Sequence, residues 1–488
     1  MDSKLHVVMF PWLALGHLIP FLHLAKSLAS KGHHVSFIST PKNIQRLPKI
    51  PLNLSSLISL VNLPFPQIHN LPENAQSSTD IPIQKTQLLK RAFDELQPHV
   101  AKFLETSSIP IDWIIYDYAS YWLPELASKF NIPCVFFSLF NAATLSFFGP
   151  PWALTSPEEA RVTAEAYTVV PIWIPFHSEI KYRLHEMLQY FEGAAKDGVS
   201  DVSGVSDVSD PYRFGVAIRD CEFIAVRSCV EFEPEWISFL ADLDQKPVVP
   251  IGSLHPSVLD TENQDDEKWS NIKEWLNKQT DGSVVYVALG TEATLSQNQV
   301  NQLALGLEQS HLPFFWVLRA PLDLALDVLT MLPCGFIDRV KGRGMVWTSW
   351  APQMNILAHR SVGGFLTHCG WNSVIEGLGL GRALVLLPML NDQGLTARLL
   401  EEKKLGLEIP RNECDGSFTC ESVAESLRVV MVDGNGHALR SNARDMKGVL
   451  GDKNRMGRYV DDFIRYLKVH QRQPRTPELT YHNSEIKN

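Results

Sequence analysis

The chain has 488 residues, 45% hydrophobic and 20% charged: a globular composition, in a chain too long for one ordinary core. Its formal net charge of −10, with no Lys/Arg-rich block, excludes a partner gripped by its phosphate backbone, so no nucleic acid is expected. No apolar run reaches the roughly 18 residues of a membrane span. The seven scattered cysteines contain no CxxC and read as reduced thiols of a cytoplasmic protein.

In chain order, Leu5–Phe10 reads as a first buried strand, not a signal peptide, because His6 and Pro11 break its apolar run. Ile19–Ser30 then reads as a helix, and His34–Thr40 and Leu57–Leu63 as strands. A long helix is expected over Gln84–Leu104, followed by a strand at Trp113–Tyr118, a helix at Leu123–Phe130 and a strand at Pro133–Ser138. This alternation predicts an α/β fold with a parallel, doubly wound sheet, whose ligands bind beyond the C-terminal strand ends.

Two polar residues stand at such ends. His17 lies in the loop after the first strand, and Asp117 closes WIIYD. Each alone could simply start a helix. Together, a histidine oriented by a carboxylate is what the deprotonation of an alcohol requires.

Phe140–Tyr190 is rich in aromatics and proline and reads as loops and short helices. GVSDVS is written twice, at Gly198–Ser203 and Gly204–Ser209, a loop extension with no chemistry assigned. Pro247–Lys268 is Pro-rich, then acidic, and reads as a linker. Ser283–Gly290, Pro313–Arg319, Gly344–Trp350 and Gly363–His368 predict a second sheet. Helices are expected over Val423–Met431, Ser441–Val449 and Gly457–Val469, with a disordered tail over 471–488.

The second half centres on Trp350–Gln393. A strand ending at His368 meets a turn at Cys369-Gly370, and a helix is expected from Trp371 to Leu378. The free N–H groups of that helix make an anion site. His368, Asn372 and Ser373 would face a diphosphate there, Glu376 a ribose diol, and Asp392 and Gln393 sugar hydroxyls. Ordinary helix capping by Asn372 and Ser373 is the plainer alternative.

This stretch resembles the signature box of the plant secondary-product UDP-glycosyltransferases, matching HCGWNS, Glu376 and the closing Asp392-Gln393; Leu387 departs from a frequent Trp. The resemblance implies a GT-B architecture of two facing Rossmann-like domains. Residues 1–246 would bind the acceptor, 247–268 would link, 269–456 would bind the UDP-sugar, and a helix at 457–470 would return to the first domain. It implies further that Trp350 stacks on uracil, that Ala351 binds it through backbone, and that Gln353 and Glu376 hold ribose. Thr291, His368, Asn372 and Ser373 would take the diphosphate, and Trp371, Asp392 and Gln393 the sugar. His17 would be the base and Asp117 its partner, with Trp12, Asn141 and Phe148 walling the acceptor pocket.

The expected activity is inverting transfer of glucose from UDP-glucose to a small plant metabolite, by a monomer needing no cofactor or metal, since no clustered carboxylates appear. FPWLALGHLIPFLHLAK and DWIIYDYASYWLPELA resemble a subgroup that extends terpenoid or flavonoid glycosides. Aglycone acceptors and UDP-rhamnose or UDP-xylose donors are the alternatives within the family. A nicotinamide dehydrogenase lacks support, because no glycine fingerprint follows the first strand and the GxGxG at Gly377–Gly381 follows a helix. A serine hydrolase lacks its GxSxG. A non-catalytic UDP-sugar binder would not need both His17 and Asp117.

Overall fold

The computed structural model describes residues 4–156, 161–196, 208–254, 267–319 and 328–471. The expected tail from 472, most of the duplicated GVSDVS stretch (198–207) and linker residues 255–266 lie outside the described residues.

Two all-parallel sheets form the frame. The first contains β1 (His6–Phe10), β2 (His34–Ser39), β3 (Ile58–Asn62), β4 (Trp113–Tyr116), β5 (Cys134–Ser138), β6 (Phe223–Val226) and β7 (Val248–Pro250), in the order β3-β2-β1-β4-β5-β6-β7. The second contains β8 (Val284–Ala288), β9 (Phe314–Val317), β10 (Gly344–Trp347), β11 (Val362–Thr367), β12 (Ala383–Leu386) and β13 (Gly406–Glu408), in the order β10-β9-β8-β11-β12-β13. Each sheet therefore reverses its winding once, between β1 and β4 and between β8 and β11. These are the switch points at which such sheets open a crevice.

Strands such as HVVMF and VVYVA are buried along their whole length because helices cover both faces. On the first sheet, Val8, Phe10, Ile114, Tyr116 and Phe136 join one core with Leu89 and Phe93. Val7, Met9, Val35, Phe37, Trp113, Ile115, Val135 and Phe137 point the other way. They pack under the helix Leu15–Ser30 and the last helix, Lys453–Val469. The last helix buries Val460, Phe463, Ile464 and Leu467 there, with the Leu467 carbonyl accepting from Trp113 Nε1 at 3.1 Å. It starts four residues before the expected Gly457 because Asp452 caps it, accepting from the Asn454 and Arg455 N–H groups.

Two expectations need correction. The single helix over Gln84–Leu104 is two, Thr86–Asp94 and Gln97–Thr106. Pro98, which cannot supply an N–H to a continuous helix, sits in the first turn of the second. The linker does not begin at 247, because Val248–Pro250 pairs with β6 as the edge strand, where a proline is tolerated.

Truncating Phe463, fully buried and edge-on to Phe223 at 6.1 Å, tests the attachment of the last helix to the first sheet. Phe463→Ala should cost about 3–5 kcal/mol, read as a lower urea midpoint at unchanged slope.

Candidate active site

The helix after β1 starts at Leu15 with His17 in its first turn, and Ala14 gives it no side-chain cap. β1 and β4 are adjacent and in register, Phe10 opposite Tyr116, so the residues that follow them meet. His17 Nδ1 lies 2.7 Å from Asp117 Oδ2, across 100 residues of chain. The same carboxylate accepts the Trp12 N–H at 3.2 Å and, through Oδ1, the Tyr118 N–H at 2.8 Å. Asp117 is 2% exposed and His17 18%, so the pair is fixed from behind and open in front.

With Nδ1–H donated to the carboxylate, Nε2 is the basic nitrogen. Burial by itself depresses the imidazolium. The charge and hydrogen bond of Asp117, joined by Glu292 and Asp392 from the second domain, outweigh it and raise the His17 pKa above the ordinary value.

Opposite stands the switch point of the second sheet. The helix Trp371–Gly379 begins at Gly370, with no side-chain cap and no acidic residue in its first turn. By contrast, Ser296 and Thr419 cap their helices. His368 follows β11 beside this open N-terminus, packed so closely that Cβ atoms on Gly290 or Gly370 would lie 2.7 and 2.5 Å from its Nε2. Gly290 also has φ +79°, which glycine adopts without strain. Burial lowers the His368 pKa to about 4, and its Nδ1 has no hydrogen-bond partner. A half-buried, neutral imidazole whose Nδ1 has no partner, beside an uncapped helix start, suits an anion that arrives with its substrate.

Gln353 Nε2 donates to Glu376 Oε2 at 2.7 Å and lies 3.2 Å from Ser373 Oγ, while the Tyr286 hydroxyl reaches Gln353 Oε1 at 3.3 Å. Burial pushes the Glu376 carboxyl up, with Gln353 and Arg227 pulling the other way. Trp350 is 61% exposed, an open aromatic face beside buried Ala351. Thr291 is exposed just past β8.

Several expected roles change once partners are known. The Trp371 indole is buried against Phe232 at 5.3 Å and donates to the Arg227 carbonyl at 2.8 Å, leaving only its backbone N–H for a sugar. Asn372 already uses its amide between domains, accepting from Arg227 Nη1 and donating to the Gly16 carbonyl at 2.9 Å. Gln393 Oε1 accepts the Met389 and Leu390 N–H groups at 2.9 and 2.8 Å, so only its Nε2 is left for a hydroxyl. Trp12 is core, edge-on to Phe93 at 5.3 Å. Asn141 is fully buried, capping the helix Ala142–Phe148 and reaching Thr396 Oγ1 at 3.3 Å.

Phe148 does belong to an aromatic group beside His17, with Tyr118, Phe140 and Phe214, which were not anticipated. Tyr118 stacks on Phe214 at 4.2 Å, and Phe140 approaches the His17 ring at 6.3 Å. Tyr118 was legible as the residue after Asp117; Phe214 carried no local signal.

Two doubly wound domains that face each other, one with a His–Asp pair and one with an uncapped helix start, define a GT-B-type sugar-nucleotide transferase. Residues 241–443 match the model of the UDP-glucoronosyl and UDP-glucosyl transferase family. The chain is 53% identical over 467 residues to UDP-glycosyltransferase 91C1 of Arabidopsis thaliana, covering 96% of this chain and 97% of that one. It is 43% identical over 473 residues to soyasaponin III rhamnosyltransferase of Glycine max, covering 96% and 97%. A solved UDP-glucosyltransferase from Polygonum tinctorium, capable of glucosylating indoxyl, superposes with TM-score 0.73 at 26% identity, covering 96% and 100%. The chain belongs to the plant UDP-glycosyltransferase family and is a UDP-sugar-dependent glycosyltransferase. Among the described residues, no helix is long and apolar enough to cross a membrane.

Gly370→Ala introduces no positive φ but drives a methyl into His368. UDP binding, read by calorimetry, should weaken about tenfold, with the melting temperature within about 3 °C of the parent.

Proposed function

We propose that the protein moves glucose from UDP-glucose, with inversion, to a sugar hydroxyl of a terpenoid or flavonoid glycoside, working as a cytoplasmic monomer. The observation that carries the mechanism is the 2.7 Å His17–Asp117 bond facing the uncapped helix start. His17 Nε2 takes the acceptor hydroxyl proton as that oxygen attacks the anomeric carbon. The bond from that carbon to the diphosphate oxygen breaks, and UDP leaves with the electron pair. Asp117 stabilises the imidazolium, which then returns its proton to water.

The leaving diphosphate meets the first-turn N–H groups of Trp371–Gly379, the Ser373 hydroxyl and His368. On this reading the charge is met by protein dipoles and neutral donors, without a metal ion. Trp350 and Ala351 take the uracil, and Gln353 and Glu376 the ribose. Asp392, whose carboxyl burial pushes up to about 6, stays largely ionised near neutrality and can accept from sugar hydroxyls beside His17.

The wall beside the base supports this acceptor class. Phe140 and Phe148, backed by buried Phe214, offer apolar faces to a terpenoid or flavonoid body, while Asp392 and Glu292 offer carboxylates to hydroxyls. The soyasaponin relative, by its name, serves a saponin, which supports a glycoside acceptor. That same name supports UDP-rhamnose as the second donor reading. Mass spectrometry with UDP-glucose, UDP-rhamnose and paired aglycone and monoglucoside acceptors separates these readings. A hexose gained only by the glucosides supports the proposal; transfer only to aglycones overturns the acceptor assignment, and transfer only from UDP-rhamnose overturns the donor.

His17→Ala should lower kcat by roughly a hundredfold or more. In kcat/KM against pH, the acid limb reports His17, which must be neutral to act. Asp117 raises that pKa, so Asp117→Asn should move the limb to lower pH while lowering the plateau. A limb that stays in place would remove His17 from the role.

A further inference from the structure

Arg227 has no part in the reaction as described so far. It follows β6 at the C-terminal end of the first sheet and is 1% exposed. Its Nε donates to the Ser253 carbonyl at 2.8 Å, its Nη1 to Asn372 Oδ1, and its own carbonyl accepts the Trp371 indole N–H. Ser253 is held in turn, its N–H 3.1 Å from Met456 Sδ and its hydroxyl donating to the Leu450 carbonyl at 3.2 Å. One side chain thus joins β6, the segment leaving the first sheet and the first turn of the donor helix.

A guanidinium has five donors and no acceptor. It therefore admits one orientation of the Asn372 amide, with the carbonyl toward Arg227 and the NH2 group toward the cleft. That NH2 group donates to the carbonyl of Gly16, the residue immediately before His17. An amide nitrogen carries two hydrogens, so a second donor remains on the side of the helix start. Burial lowers the Arg227 pKa to about 10, with Glu376 working to keep it charged, so the group stays cationic near neutrality.

We infer that Arg227 is a positioning residue that locks the Asn372 amide, so that one NH2 group holds the Gly16–His17 turn and faces the donor diphosphate. Seating of the donor and placement of the base are then linked through a single side chain. The inference rests on the reading above that His17 is the base and that the diphosphate lies at this helix start.

The test is a double-mutant cycle of Arg227→Met and Asn372→Ala on the full chain, with initial rates against UDP-sugar at saturating acceptor. Each single variant should lower kcat/KM for the donor roughly tenfold or more, with the acceptor KM little changed. The double variant should fall within about threefold of the worse single one, because both remove the same contact. Arg227→Lys, which keeps charge and donors but not the fork, should recover part of the loss and serves in the cycle if the Met variant does not fold. Multiplicative losses overturn the inference, as do folded Arg227 variants with unchanged donor kinetics. An active His17→Ala would sink the underlying reading; an inactive His17→Ala with additive losses would sink only the role of Arg227.

Discussion

The hydrogen bond between His17 and Asp117 is the constraint on which the rest of the site depends. It joins the ends of β1 and β4, the two strands between which the first sheet reverses its order. At such a switch point the flanking connections run to opposite faces of the sheet, which leaves side chains room, and the parallel strands on both sides hold them in register. Asp117 is spent on three donors at once, the imidazole and the Trp12 and Tyr118 N–H groups, which removes its freedom to rotate away. The second sheet repeats this logic between β8 and β11, where Gly290 and His368 stand in each other's contact shell. On the proposed mechanism, one switch point supplies the base and the other the anion seat.

What holds the two halves opposite each other is a matter of burial more than of number. Lys403–Glu235 crosses between domains and Arg455–Glu231 ties the last helix to the first domain, but both are partly exposed, and such pairs contribute at most about 1 kcal/mol each. Arg398 with Glu186 and Glu408, and Arg227 with Asn372, are buried and hydrogen-bonded, so losing one partner leaves a stranded charge. The close fit near Gly394, where a Cβ would lie 2.5 Å from the Glu186 carboxylate, leaves little slack in that arrangement. Precision in the cleft therefore comes from the buried set.

Much of this was legible in the chain. The buried parallel strands announced themselves as apolar runs, and His17, Asp117 and His368 stood out because each is polar where such a run ends. The same rule points to Arg227, but its strand, Phe223–Val226, is only four residues long and the helix ahead of it, Asp210–Asp220, was not read from the sequence, so it went unrecognised. Trp371 and Asn141 show the limit of residue type. Each was of a kind that binds sugar nucleotides or lines pockets, and each is committed to a partner 144 or 255 residues away. Spacing along a chain reveals periodicity; it carries no record of which distant donor an amide meets. Pro98 and the β7 edge strand were misjudged for a simpler reason, since a proline marks a break without saying whether a helix or a strand resumes beside it.

His17 is held by Asp117 so that its proton sits on Nδ1 and its pKa lies above that of a free imidazole. Nitrogen-15 NMR of histidine-labelled protein, assigned by comparison with His17→Gln and titrated across neutral pH, reads both directly. The expected result is the Nδ1–H tautomer, with Nε2 protonating at a pH above about 6.5. An Nε2–H tautomer, or a titration at or below the ordinary value, would contradict it.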